Sequence, residues 1–137
     1  KAARGTDSRI YPWGNESPSD FSMNLADESL QVSWADNNIN DGYEFASPVG
    51  NYSQGISPYG ALDMAGNVFE WVADWYSSDY STSASSNPQG ISSGEFRVLR
   101  SGSWTSMEVY ARTTHRSRYS PSLGSSQVGF RCVMSEK

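Results

Sequence analysis

The sequence predicts an α+β domain in which short antiparallel strands are joined by much irregular loop. Glycine and proline, which favour turns, are frequent, with 12 Gly and 6 Pro among 137 residues. Short stretches of alternating apolar and polar residues, the pattern of half-buried strands, occur in the second half of the chain. Aromatic residues are plentiful (5 Trp, 8 Tyr and 5 Phe) and can fill one core. We therefore expect a single domain over residues 1–137.

The first 60 residues predict irregular structure, which needs a stabilising element to hold it in one conformation. The stretch NNINDGYEFASPVGNYSQGISPYG, residues 37–60, consists mostly of turn-forming residues. Long irregular segments are uncommon in compact domains unless something holds them together. The chain contains one cysteine, which excludes an internal disulfide. Aromatic packing or a bound metal ion is therefore expected to order this segment.

The middle of the chain predicts a short helix followed by a strand. YGALDMAG, residues 59–66, is compatible with a short helix, and NVFEWVADWY, residues 67–76, alternates as a strand does. One face of this strand would carry Phe69, Trp71, Ala73 and Trp75, and the other Val68, Glu70, Val72 and Asp74. The serine-rich stretch at residues 77–90 has the composition of a solvated connector.

Two more strands are predicted towards the end of the chain. RVLRSGSW, residues 97–104, indicates a strand with a bulge or close backbone approach at Gly102. MEVYARTTHRSRYSP, residues 107–121, predicts a short helical or irregular excursion. In QVGFRCVM, residues 127–134, alternation places Val128, Phe130, Cys132 and Met134 inward and Arg131 and Val133 outward. Cys132 is then expected to be a small buried hydrophobe.

Charge is distributed unevenly along the chain. Twelve acidic residues and no Lys or Arg lie between Ile10 and Phe96, whereas residues 97–131 contain six arginines and one acid, Glu108. The arginines are interspersed with aromatics and glycines, so we interpret this segment as folded and expect no nucleic-acid partner. Some acids are expected to pair with arginines, Asp74 with Arg97 or Arg100, and others with bound cations. No apolar run is long enough to predict a membrane span.

Seven motifs, in this order, carry a resemblance to a known family. They are YPWGN, DGYEFASPVG, SPYGALDMAGNVFEWVADWY, NPQG, RVLRSGSW, ARTTHRSRYSP and VGFRCV. Together they resemble the sulfatase-modifying-factor family, which includes the formylglycine-generating enzymes, from residue 1 to about residue 134. The resemblance implies a C-type-lectin-like fold with little regular secondary structure. The opening KAARG resembles the end of a longer family segment, so the N-terminal part of the domain is expected to lie outside this chain.

The resemblance also implies up to two calcium sites. One would use the side chains of Asn24 and Asp41 and the carbonyls of Leu25 and Tyr43; the other would use the side chains of Asp63 and Glu70 and the carbonyls of Gly66 and Val68. The residue types agree with this, because calcium takes carboxylate, amide and carbonyl oxygens. The second set has offsets 0, 3, 5 and 7, which suit one tight loop, and Gly66 permits an unusual backbone angle. The alternative is that these acids are surface residues or arginine partners.

The residues argue against the chemistry of the formylglycine-generating enzymes. Those enzymes use two active-site cysteines that bind copper, and thiolates are the ligands that Cu(I) prefers. Ser106 stands at the position that the resemblance gives to the first cysteine, and Cys132 falls outside the active site. No copper is therefore expected. His115 is the only histidine, so a multi-histidine metal site is excluded within this chain, and we expect His115 to be a surface or hydrogen-bonded residue rather than a catalytic base.

These observations predict a non-catalytic, calcium-stabilised domain that serves ligand binding or assembly in a larger protein or complex. The ligand would be a protein or a small molecule, and the location extracytoplasmic, where calcium is plentiful. The candidate binding surface contains Ser106 and six residues of the types enriched at interface hot spots, namely Trp104, Tyr110, Arg112, Arg116, Arg118 and Tyr119. The alternative function is an oxidoreductase of the same family, of the formylglycine-generating or ergothioneine-synthase type, whose catalytic metal lies outside this chain.

Overall fold

A small sheet and a large loop region make up the fold. The structure is a computed structural model that describes residues 1–79 and 90–133. The four strands are β1 (Phe69–Trp75), β2 (Arg97–Arg100), β3 (Ser117–Tyr119) and β4 (Val128–Gly129), in the spatial order β3-β2-β1-β4. The pairs β1–β2 and β2–β3 are antiparallel, whereas β1 and β4 are parallel. Short 3-10 turns occur at Ser53–Gly55 and Glu108–Ala111.

The loop-rich α+β fold with short strands is confirmed, and β1 and β2 lie where alternation predicts strands. Trp71 pairs with Leu99 and Trp75 with Arg97, with an irregularity between the two pairs. Strand β2 ends at Arg100 because the next two residues leave the extended conformation. Ser101 has φ 88° and Gly102 has φ 81°, and a strand cannot continue through such angles.

The helix predicted at residues 59–66 is wrong, because the segment forms turns instead. Gly60 and Gly66 have φ of 78° and 73°, and Asp63 has φ 54°. A right-handed helix needs negative φ at every residue, so three left-handed residues within one short segment exclude it. The same angles curl this segment into the loop that precedes β1.

The inward positions predicted for Phe130 and Cys132 are also wrong, whereas Val133 is exposed, as predicted. Strand β4 ends at Gly129, and beyond it Phe130 is 76% exposed, Val133 is 92% exposed and Cys132 is exposed. Cys132 is therefore not a buried hydrophobe. Arg131, expected to point outward, instead reaches the Glu70 side chain on β1. Met134 lies outside the described residues.

The core is supplied mainly by the loops. Its buried cluster consists of Tyr11, Met23, Leu25, Ile39, Ala65 and Ala111, with Trp13 packed against it. Tyr11 and Trp13 stack with their ring centroids 5.0 Å apart. Residues 9–13, the N-terminal strip, are joined to the C-terminal half by Thr113. The Thr113 N–H donates to the Ile10 carbonyl (2.7 Å), and the Thr113 hydroxyl donates to the Arg9 carbonyl (2.8 Å). Aromatic packing thus contributes to ordering the first segment, as predicted.

Candidate metal sites and ligand pocket

The predicted ligands Asp63, Gly66, Val68 and Glu70 line one cavity. Its volume is about 190 Å³, and the remaining lining residues are Val49, Asn67, Phe130 and Arg131. The loop before β1 positions the first two ligands, and β1 itself positions Glu70. We call this cavity, with its lining residues, the Asp63 site. The structure therefore brings together all four residues that the family resemblance assigns to this site.

The Asp63 carboxylate has one oxygen with a partner and one without. The backbone N–H of Gly50 donates to Asp63 Oδ2 at 2.7 Å, while Asp63 Oδ1 is buried and has no hydrogen-bond partner in the structure. A buried carboxylate oxygen without a partner is energetically costly, and a cation bound next to it would supply the missing partner. The donor set of the Asp63 site, two carboxylates and main-chain carbonyls, fits a hard cation such as calcium.

The Glu70 carboxylate already has a cationic partner, Arg131. Arg131 Nε donates to Glu70 Oε2 at 2.7 Å, and Arg131 Nη2 donates to Glu70 Oε1. The same guanidinium donates to the carbonyl oxygens of Leu62 (3.1 Å) and Asp63 (2.7 Å). Hydrogen bonding to Glu70 raises the pKa of Arg131, while burial opposes the rise. The alternative that these acids are arginine partners thus holds for Glu70.

The other predicted ligands, Asn24, Leu25, Asp41 and Tyr43, also lie together, and we call this group the Asn24 site. The backbone N–H groups of Leu25 and Tyr43 donate to Asp41 Oδ2 (2.9 Å) and Oδ1 (3.0 Å). Asn24 is fully buried; its Nδ2 donates to the Phe45 carbonyl at 2.8 Å, and its Oδ1 has no hydrogen-bond partner in the structure. Each predicted site therefore contains one buried oxygen without a partner.

Burial dominates the electrostatics of Asp41. It raises the pKa of Asp41 to about 6; backbone hydrogen bonds from Leu25 and Tyr43 oppose the rise, and the nearby Asp27 carboxylate adds to it. Asp27 is itself fully buried, and its Oδ2 accepts the backbone N–H of Asp41 at 2.7 Å. Two adjacent buried carboxylates favour a nearby positive charge.

The two candidate sites are in direct backbone contact. The N–H of Asn67 donates to the Asn24 carbonyl at 3.0 Å, and a Cβ atom placed on Gly66 would lie 2.2 Å from that same carbonyl oxygen. Gly66 has the positive φ that its glycine predicted, and its carbonyl accepts a hydrogen bond from the Ser101 hydroxyl at 3.1 Å. In the described residues, no cluster of three or more His, Cys, Asp or Glu side chains forms a metal site, so carbonyl and amide oxygens would have to complete both shells.

A second cavity, of about 370 Å³, opens beside Ser106. Its lining is aromatic, apolar and hydroxylic, consisting of Trp34, Phe69, Thr105, Ser106, Met107, Tyr110, Ser117 and Gln127. Trp34 is held in place by a hydrogen bond from its Nε1 to the Thr105 carbonyl at 3.0 Å. Ser106 is buried, and its hydroxyl lies 3.1 Å from that of Ser103. None of the lining side chains is charged.

The predicted binding surface is only partly brought together by the fold. Ser106 and Tyr110 share the second cavity, whereas Trp104 packs edge-on against Phe45 at 5.1 Å. Arg116 and Arg118 lie over the Tyr76 ring, each 5.0 Å from its centroid, Tyr119 packs against Trp71, and Arg112 is exposed. Within the described residues, Asp74 forms no ion pair with Arg97. Arg97 instead lies 3.5 Å over the Trp75 ring and donates to the Ala73 carbonyl.

Sequence reasoning missed two contributors to these cavities. Arg131 was expected on the outer face of a strand, and only the charge imbalance between the two halves of the chain indicated that it might pair with an acid. Trp34 lies 71 residues before its hydrogen-bond partner, Thr105, and no local pattern predicts that contact. No helix among the described residues has the length and apolarity needed to cross a membrane.

Comparison with known families places this architecture in one class of protein. The model of the sulfatase-modifying factor enzyme 1-like domain matches residues 1–136. The chain belongs to this family, as its motifs predict.

The matched relatives differ in name and length. "Serine/threonine-protein kinase pkn1" of Chlamydia caviae is 45% identical over 94 residues, which are 66% of this chain and 15% of the kinase. "Formylglycine-generating enzyme" of Mus musculus is 32% identical over 134 residues (94% of this chain, 35% of the enzyme). "Inactive C-alpha-formylglycine-generating enzyme 2" of Mus musculus is 33% identical over 140 residues (98% and 40%). The chain thus spans less than half the length of each of these relatives.

Solved structures support the same fold. "Treponema denticola variable protein 1" superposes with a TM-score of 0.74 at 27% identity, over 94% of this chain and 41% of that one. PvdO from Pseudomonas aeruginosa superposes with a TM-score of 0.70 at 26% identity, over 94% and 46%. These structures confirm the fold, as the family match predicts.

Proposed function

We propose that this chain is a non-catalytic, calcium-stabilised domain that binds a protein or small-molecule ligand as part of a larger protein. One observation carries the calcium part. The two candidate sites, which the family resemblance implies, each contain one buried oxygen without a partner, Asn24 Oδ1 and Asp63 Oδ1. A hard cation bound at each site would give that oxygen the partner it lacks.

The non-catalytic part is supported by the cysteine count and by one relative. Formylglycine formation by the family's mechanism uses a pair of thiols, and this chain has a single cysteine. Ser106, at the position of the first family cysteine, is buried with its hydroxyl next to that of Ser103. A relative named as an inactive formylglycine-generating enzyme matches 98% of the chain at 33% identity. A domain of this family can therefore be retained without that activity.

An extracytoplasmic location agrees with the expected calcium affinity. The Asn24 site offers one carboxylate, and the Asp63 site offers two, one of which is shared with Arg131. Sites with few carboxylates and many neutral oxygens have dissociation constants of about 10⁻⁴ to 10⁻³ M, as in extracellular modules. Such sites would be filled only where calcium is millimolar.

The cavity beside Ser106 is the proposed ligand pocket. Its uncharged, aromatic and hydroxyl-bearing wall suits an apolar side chain flanked by hydrogen-bonding groups, as a peptide presents. Met107 lines the pocket and is 42% exposed, whereas Val109, two residues away, is 40% exposed and does not line it. This pair of residues gives a matched test of the pocket.

Thermal unfolding in EGTA and in about 10 mM calcium tests the metal proposal. If the dissociation constant is about 0.1 mM, calcium at a hundredfold excess should stabilise the fold by about 2.7 kcal/mol per site and raise Tm by roughly 10 °C. Glu70→Gln should reduce the calcium-dependent rise, and Asp79→Asn, at an exposed position, should not. An identical Tm in EGTA and calcium would contradict the proposal.

A displayed random-peptide library selected on the immobilised domain tests the pocket. Peptides are expected that bind the wild type and Val109→Arg but lose binding to Met107→Arg, because only the latter places a charge at the pocket wall. Recovery of peptides that bind all three proteins equally, or of none at all, would argue against a ligand site at Ser106.

A further inference from the structure

The cavity of the Asp63 site already contains a fixed positive charge. The Arg131 guanidinium contacts both oxygens of Glu70 and the carbonyl oxygens of Leu62 and Asp63. The Glu70 side chain is 16% exposed and that of Arg131 is 37% exposed, so the carboxylate is largely shielded from water while the arginine stays partly solvated. Among the residues that line this cavity, Arg131 is the one cation.

The net charge of the Asp63 site is not zero, whether or not calcium is bound. Asp63 and Glu70 supply two negative charges, and Arg131 returns one positive charge, which leaves one negative charge on Asp63. A calcium ion bound in addition would leave one net positive charge in the same small cavity. Arginine stays protonated at any relevant pH, so it cannot relieve this excess by losing a proton.

Glu70 is the residue for which the two cations would contend. Arg131 holds its carboxylate through two parallel N–H···O contacts, the geometry in which an arginine–carboxylate pair is strongest. A calcium ion that uses Glu70 must share these oxygens or displace the guanidinium. Either event weakens the bonds from Arg131 to the carbonyls of Leu62 and Asp63, because the planar fork moves as one body.

We propose that Arg131 is a built-in cation of the Asp63 site, which competes with calcium for Glu70 and so sets the calcium affinity of the site. This inference rests on the proposed calcium function. Arg131 acts as a positioning residue in the metal-free domain, where it fastens the loop before β1 to Glu70. It keeps the site ordered without calcium and restricts filling to high calcium concentrations.

A thermodynamic cycle tests the competition. Calcium chloride is titrated into the wild type and Arg131→Gln by calorimetry, and Tm is measured in EGTA and in calcium. Arg131→Gln should melt lower than the wild type in EGTA, yet bind calcium at least about fivefold more tightly and show a larger calcium-dependent rise in Tm. Lys1→Gln, which removes an exposed positive charge outside this cavity, is the control and should leave both quantities unchanged.

Repeating the cycle in the Glu70→Gln background distinguishes calcium binding at the Asp63 site from calcium binding at the Asn24 site. In this background the effect of Arg131 on calcium affinity should vanish. If Arg131→Gln does not fold, Arg131→Lys, which keeps the charge but loses the fork, should give a smaller gain in affinity. An equal or weaker calcium affinity in the Arg131 variants, with a normal calcium response of the wild type, overturns the competition alone. No calcium response in any of these proteins overturns the calcium function itself.

Discussion

The carbonyl oxygen of Asn24 occupies the space that a side chain at position 66 would need. A Cβ atom on Gly66 would lie 2.2 Å from this oxygen, far closer than atoms can approach. The same carbonyl accepts the N–H of Asn67, so it cannot move away without losing a hydrogen bond. The two candidate metal sites are thus joined by a backbone contact that only glycine allows.

Gly66→Ala is expected to destabilise the domain by at least about 3 kcal/mol, from left-handed strain and overpacking together. Gly60→Ala provides the control, because Gly60 has a similar φ of 78° but no atom within 4 Å of the added Cβ. It should cost only the strain, about 1 kcal/mol. Urea unfolding measures both. Equal losses in the two variants would show that the carbonyl contact is not limiting.

Tyr52→Phe tests the support of the Asn24 site. Tyr52 is 2% exposed, and its hydroxyl donates to Asp41 Oδ1 (3.3 Å) and lies 3.2 Å from the Asp41 carbonyl. Removing the hydroxyl should cost about 1 kcal/mol in urea unfolding, since a buried carboxylate loses a donor. Tyr59→Phe, at a position 58% exposed, should change the free energy of unfolding by no more than a few tenths of a kcal/mol. If Tyr52→Phe is as stable as the wild type, the hydroxyl does not support Asp41.

His115 should make stability fall on acidification. Burial, with a smaller contribution from Arg100, lowers the pKa of His115. Its Nε2 is buried without a hydrogen-bond partner, and its ring packs edge-on against Tyr110 at 4.9 Å. The unfolded chain therefore binds the proton first, and stability present above about pH 6.5 is lost as the pH falls towards the folded-state pKa.

His115→Phe, which preserves an aromatic ring, should lose less stability than the wild type between pH 7 and pH 5. The raised pKa of Asp41 changes stability in the opposite direction, but it does so in both proteins and cancels in the comparison. The measurement is urea unfolding in EGTA at a series of pH values. Parallel curves for the two proteins would remove His115 from the pH response.

Incubation with copper and a peptide carrying the sulfatase cysteine motif should yield no aldehyde. The single cysteine of the chain, Cys132, is exposed and cannot form the thiol pair on which the family chemistry depends. Mass spectrometry of the peptide, with an active formylglycine-generating enzyme in a parallel reaction, provides the readout. Any turnover that survives Cys132→Ser would refute the non-catalytic assignment and point to a different chemistry.

The sequence correctly predicted those features of the fold that depend on neighbouring residues alone, such as strand alternation and the backbone angle of a glycine. The alternation around Trp71 and the RVLR stretch of β2 correctly located two strands, and the glycine at position 66 correctly indicated an unusual backbone angle. The helix at residues 59–66, with which the sequence is compatible, does not form because left-handed residues turn the chain there. The prediction fails after Gly129 because the alternation of apolar residues continues in the sequence beyond the point where pairing with β1 ends.

The sequence predicted the residues of a candidate site where they lie close together along the chain, and missed those that come from distant segments. The Asp63 site is formed mainly by one continuous loop and strand, so its spacing and the family resemblance located four lining residues together. Arg131 reaches the same cavity from 61 residues after Glu70, and the spacing of the acids contains no information about it. The sequence suggests one binding patch, but in the fold Ser106 lines the second cavity whereas Arg116 lies over the Tyr76 ring.

The bonds from Thr113 to Arg9 and Ile10 have a consequence for how the domain is made. They join residues up to 104 positions apart, so the N-terminal strip cannot form these bonds until Thr113 has left the ribosome. At synthesis rates of about 5–20 residues per second, that strip waits on the order of 5–20 s with its aromatic side chains uncovered. During this interval Tyr11 and Trp13 lack Ala111, which completes the buried cluster around them in the finished domain.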